Sequence, residues 1–85
     1  MSIDWDKVLA EFSANLLKIR KESKKSQELI AGLGISVRNY QKIEKGETFP
    51  SFKSLIIISQ NLNVPPKTLL DLPSLKSIGE TKKNS

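Results

Sequence analysis

The sequence has no cysteine and no histidine among its 85 residues. Without cysteine there is no disulfide framework and no thiolate metal site. Without histidine the commonest general base and the commonest metal ligand are missing. Zinc sites, Ser-His triads and Cys-His dyads are therefore excluded by inventory. There is also no Gly-rich phosphate loop and no carboxylate pair placed to flank a substrate, so no enzyme is expected and no cofactor is implied. No apolar run approaches the ~20 residues that a membrane helix needs. The start, Met1-Ser2-Ile3-Asp4-Trp5-Asp6, lacks the basic and apolar stretches of a secretory signal. The expectation is a soluble, cytoplasmic protein. A hydrophobic fraction of 38% fills one small core, which means a single domain of modest stability.

Charge of one sign is in excess. The net charge is +5, a weak bias toward a polyanionic partner that solubility alone could explain. Its distribution is more telling. Lys18, Arg20, Lys21, Lys24 and Lys25 stand within eight residues, against only Glu22.

Periodicity predicts helices throughout. Trp5, Val8, Leu9, Phe12, Leu16 and Ile19 recur at steps of three and four, one helical stripe over residues 4–22. Ser2 or Asp4 can cap it, and the stretch reads as one long helix or as a short helix followed by a second. After the polar turn Ser23-Lys24-Lys25, Ser26 is the N-cap of a short second helix containing Leu29, Ile30, Ala31 and Leu33. Gly34 is expected to end it in a left-handed conformation. Ser36 caps a third helix running to about Lys45, with Gly46 as its stop. Ser51 caps a fourth, holding Phe52, Leu55, Ile56, Ile57, Ile58 and Leu62 and closing at Asn63. The β-branched run Leu55–Ile58 would suit a strand, but its helical flanks and the lack of a partner strand favour the helix. Pro65 and Pro66 open a fifth helix with Leu69, Leu70 and Leu72. From Pro73 the apolar pattern ends, and residues 73–85 are expected to form a flexible tail.

The second and third helices are too short to stand alone. Joined by a tight turn, they can hold the third helix outward as a rod that fits a major groove about 12 Å wide. Specific residues sharpen this. Ser26-Gln27 opens the second helix. The turn and third helix read Gly34, Ile35, Ser36, Val37, Arg38, Asn39, Tyr40, Gln41, Lys42, Ile43, Glu44, Lys45, Gly46. Pro50-Ser51 follows a short loop, and Leu62-Asn63-Val64 ends the fourth helix. In this order the chain resembles the Cro and phage-repressor type of helix-turn-helix domain (lambda repressor-like, xenobiotic-response-element type). The resemblance covers about residues 12–72, with residues 1–11 as a helical extension. It implies an all-α, compact five-helix bundle over residues 1–72, of bacterial or phage origin. Two departures stand out. Only Glu28 separates Gln27 from Leu29, where the family has two residues, and Ile30 occupies the place of a small alanine unless Ala31 takes it. The angle between the two helices is left open by both.

The resemblance assigns the DNA-facing residues. Ser36, Val37, Arg38 and Lys42 lead the third helix and would meet base edges, with Asn39 and Gln41 in the same set. Arg38 and Lys42 are one turn apart and share a face. Ser26 and Gln27 would contact a phosphate or base edge, although Ser26 could simply be a cap. Lys45 and Thr48 would meet phosphates on the far side, and Lys24 and Lys25 on the near side unless they only solubilise. Arg20 and Glu44 are expected to form an ion pair. Tyr40 and Ile43 face the core, where the Tyr40 hydroxyl needs a partner or an exit to water. Ile57 is either a contact in a homodimer or packs against the extension around Trp5. The function expected is a sequence-specific regulator of transcription, a repressor acting as a homodimer on palindromic double-stranded DNA. The alternative is a protein-interaction module, an antitoxin or anti-regulator whose tail binds a protein.

Overall fold

The computed structural model describes residues 2–79. They form five α-helices: α1 (Trp5–Ser23), α2 (Gln27–Ala31), α3 (Val37–Glu44), α4 (Phe52–Leu62) and α5 (Pro66–Leu69), followed by a 3-10 turn at Pro73–Leu75. The expected all-α bundle is what the chain adopts. Among the described residues no helix is long and apolar enough to cross a membrane.

The helix starts are built by side chains. Asp4, Ser26, Ser36 and Ser51 each accept a hydrogen bond from the amide three residues on, at 3.0–3.1 Å. Each bond satisfies one of the amides that a helix start leaves open. Asp4, not Ser2, caps α1, and α1 is one unbroken helix of 19 residues. Asn63 closes α4 in the left-handed conformation, and Gly46 follows α3 with φ +80°.

Val8, Phe12 and Leu16 of α1, Tyr40 and Ile43 of α3, and Leu55, Ile58 and Leu62 of α4 meet in one core, joined by Ile30, Ala31, Leu69 and Leu72. Two asparagines bolt the periphery to it. Asn15 Nδ2 donates to the carbonyls of Thr68 and Leu69 at 3.0 and 3.2 Å, holding α5 against α1. Asn61 Nδ2 donates to the Ile30 carbonyl at 2.8 Å, holding the end of α2 against α4.

The turn between α2 and α3 departs from expectation. Its positive-φ residue is Gly32, with φ +59° and ψ −144°, not Gly34. Ile30 and Ala31 are both fully buried, so the chain must reverse directly after Ala31. Leu33, expected within the second helix, lies beyond its end and is fully exposed. The Ile35 amide closes the turn by donating to the Ala31 carbonyl at 3.2 Å. Gly34 has a different task. A Cβ there would lie 2.6 Å from Ile57 Cδ1. Ile57, half-buried, thus seats on the turn. Phe52, counted with the apolar face of α4, is 79% exposed.

Within the segment expected to be a flexible tail, Pro73–Leu75 form a 3-10 turn. The Ser74 amide and hydroxyl both donate to the Glu11 carboxylate, at 2.9 and 2.8 Å, and Leu75 packs against the core. Glu11 is held below the ordinary carboxylate range by these two bonds. Residues 80–85 of that expected tail lie outside the described residues.

The two turn glycines separate in a mutational test. Gly32→Ala forces a backbone conformation nearly reserved for glycine and should cost about 1–3 kcal/mol. Gly34→Ala should cost about 1–3 kcal/mol by overpacking. Adding Ile57→Val, which removes Cδ1, should recover part of the Gly34→Ala loss and none of the Gly32→Ala loss in urea unfolding.

Candidate nucleic-acid interface

Arg38, Asn39 and Lys42 stand exposed along α3, and Lys45, its C-cap, is exposed beyond them. Val37 and Gln41, one turn apart, are half-buried, and Gln41 faces Gln27 of α2. Tyr40, Ile43 and Glu44 occupy the inner face. The structure therefore brings the expected base-facing residues onto one side of one helix and puts the core residues behind it. Ser36 and Ser26 are exposed at the starts of α3 and α2, each hydroxyl oxygen already accepting a cap bond. Their hydroxyl protons remain available to donate. Thr48 is exposed in the loop after α3, its hydroxyl 3.4 Å from the Phe49 carbonyl.

Behind the exposed face lies a buried charge. The Glu44 side chain is only 5% exposed. Arg20 reaches it from α1, with Nε 2.7 Å from Oε2 and a terminal nitrogen 2.8 Å from Oε1. Tyr40 donates its hydroxyl to Oε2 at 2.7 Å, and Gln27 Nε2 donates to Oε1 at 2.9 Å. Each oxygen accepts two bonds, which fills the roughly four lone-pair sites of a carboxylate. The ion pair expected between Arg20 and Glu44 is present, and the Tyr40 hydroxyl has found its partner. Burial pushes the Glu44 carboxyl up, but the bonds from Arg20, Tyr40 and Gln27 outweigh it and hold it below the ordinary range. Burial, and then the bond to Glu44, push the Tyr40 phenol above its ordinary value.

The network continues outward. Gln41 Nε2 donates to Gln27 Oε1 at 3.2 Å. Gln27 and Gln41 are thus coupled to each other and, through Gln27, to the buried carboxylate. Residue order alone did not reveal this link, because 14 positions separate the two glutamines. The available signal was the buried Glu44 itself, which needs more donors than one arginine provides.

The basic cluster before Ser26 divides. Arg20 turns inward to Glu44 and also donates to the Lys25 carbonyl at 3.1 Å. Lys25 Nζ donates to the Asn61 carbonyl at 2.7 Å, so Lys25 braces α4 instead of standing free for a phosphate. Lys18, Lys21 and Lys24 remain exposed.

A short second helix packed behind a polar, basic third helix defines a helix-turn-helix DNA-binding domain. Residues 16–69 match the family model for the helix-turn-helix of the Cro/C1 type, and the chain belongs to that family. In solved structures, the chain is similar to the SOS-response transcriptional repressor LexA from Eubacterium rectale. The two share 25% identity at a TM-score of 0.68, over 100% of this chain and 96% of that one. No curated protein matches it in sequence. The chain is a DNA-binding regulator by family.

Folding lowers the Glu44 pKa, so the stabilisation from its network is present above the ordinary carboxylate value of about 4.3. It is lost as the pH falls through the folded-state value. Urea unfolding between pH 7 and pH 3 should show stability falling at the acid end, and Glu44→Gln should flatten that fall. At pH 7, Arg20→Ala should cost about 3 kcal/mol, because it leaves a buried carboxylate short of its partner.

Proposed function

We propose that the chain is a sequence-specific repressor that binds palindromic double-stranded DNA as a homodimer. The observation that carries this reading is the split of α3 into an exposed face of Arg38, Asn39 and Lys42, extended by Lys45 at its C-cap, and a back face locked by Glu44. A recognition helix needs that rigidity, because base readout depends on holding donors in register with base edges. In this reading Arg38 pairs with a guanine edge and Val37 meets a thymine methyl. Lys42 and Asn39 read neighbouring positions. Ser26, Ser36, Lys45 and Thr48 hold phosphates, which adds affinity without sequence information. Two copies related by a two-fold axis would place their recognition helices about 34–36 Å apart.

For the seam between copies, an apolar groove of ≈ 260 Å³ is a better fit than Ile57, which is already seated on Gly34. Trp5 and Phe49 stack edge-to-face on its rim, with centroids 6.1 Å apart. Leu70 and Ile78 line it with exposed side chains. The same groove favours the second reading, in which this face binds a different protein, and the two readings are compatible. Sedimentation of Trp5→Glu separates them. A shift to monomer supports the homodimer seam, and an unchanged dimer removes the groove from that seam.

Selection from random duplexes tests the main reading. A palindromic consensus is the expected outcome, and no enrichment would overturn sequence-specific binding. Arg38→Ala should weaken the selected site by about 1–3 kcal/mol while leaving non-specific affinity nearly unchanged. Lys45→Ala should weaken all sequences alike and reduce the salt slope by about one unit.

A further inference from the structure

The buried carboxylate dictates which atoms the interface can offer. Ionised Glu44 only accepts hydrogen bonds. The amide of Gln27 must therefore turn its NH2 toward Glu44, as its 2.9 Å bond requires. Its carbonyl is then left facing Gln41. Gln41 in turn must present its NH2 to that carbonyl, across 3.2 Å. Reversing the first amide would set a carbonyl against a carboxylate. Reversing the second would set a carbonyl against a carbonyl. The orientation of both amides follows from the charge of Glu44, two residues removed from the outermost one.

One group is left over at the end of this relay. Gln41 keeps its carbonyl oxygen and one N–H of Nε2. It is half-buried, within one helical turn of exposed Arg38 on α3 and of exposed Lys45 at its C-cap. An acceptor and a donor fixed side by side match the major-groove edge of adenine, whose N6 donates and whose N7 accepts. Guanine offers two acceptors there, thymine one acceptor and a methyl group, and cytosine one donor. We propose that Gln41 is a specificity-determining residue for adenine, and that Glu44, acting through Gln27, is the positioning residue that orients it. The proposal rests on the DNA-binding reading above and adds the base class that one residue selects. The relay also orders the Gln41 side chain before binding, so less rotamer freedom is lost on contact.

The test is selection from random duplexes with the full chain and with Gln41→Ala and Gln27→Ala, together with thermal unfolding of all three. The wild type should select adenine at one position of each half-site. Gln41→Ala should lose that preference, by roughly tenfold or more against the other bases, and keep the rest of the consensus. Gln27→Ala should weaken the preference at the same position only, because it frees the Gln41 amide to rotate. In the free protein, the side-chain amide signals of Gln27 and Gln41 should be resolved and slow to exchange. In Gln27→Ala the Gln41 signal should move toward that of an exposed glutamine. An unchanged consensus in both variants overturns the proposal while leaving sequence-specific binding intact. A lowered melting temperature for Gln27→Ala with an unchanged consensus assigns Gln27 to stability alone and overturns the relay. A loss confined to Gln41→Ala overturns the positioning role of Glu44. No enrichment by the wild type overturns the relay and the repressor reading together.

Discussion

The carboxylate of Glu44 is where the first three helices are tied together. A charge this deeply buried is costly unless its lone pairs are filled. They are filled from three directions: Arg20 on α1, Gln27 on α2 and Tyr40 on α3 itself. Each donor can reach it only if its helix holds the right position, so the charge penalises other arrangements more than it stabilises this one. That is the use of a buried ion pair for which the physical case is strongest. Its result is a third helix whose orientation rests on directional bonds as well as on apolar contact.

α4 supplies the second constraint. Two independent contacts set the reach of the α2–α3 turn, Ile57 against Gly34 and Asn61 to the Ile30 carbonyl. Lys25 closes the arrangement by donating to the Asn61 carbonyl. A short second helix is tolerated because its end is fastened to α4 and does not depend on its own length for support. Gly32 absorbs the reversal in a conformation that other residues rarely adopt, and Ile30 and Ala31 can both be buried as a consequence.

Charge in the sequence and charge on the surface are different quantities here. Five basic residues crowd positions 18–25, yet Arg20 and Lys25 are committed to bonds within the chain. The exposed positive charge at the third helix owes more to Arg38, Lys42 and, at its C-cap, Lys45, which draw no attention as a run. Their spacing of four and three residues puts them on one side of a helix.

Much of the fold was legible in the residue order because it depends on local rules. Caps at Ser26, Ser36 and Ser51, the turn of Asn63, and the three-and-four spacing of Val8, Phe12 and Leu16 are decided within a few residues. The ion pair of Arg20 with Glu44 was legible through resemblance, and the inward face of Tyr40 and Ile43 through helical phase. The place of the tight turn was not, because Gly32 and Gly34 are equally able to take a positive φ. Only the burial of Ile30 and Ala31 against α3 and α4 selects Gly32, and only Ile57 explains Gly34. The seating of Ser74 was hidden for the same reason, since Glu11 and Ser74 are 63 positions apart. The sequence thus pointed to the stretch from Ser36 to Lys45 as the helix proposed to read DNA. What it presents was decided in three dimensions, by a buried carboxylate whose partners come from distant parts of the chain.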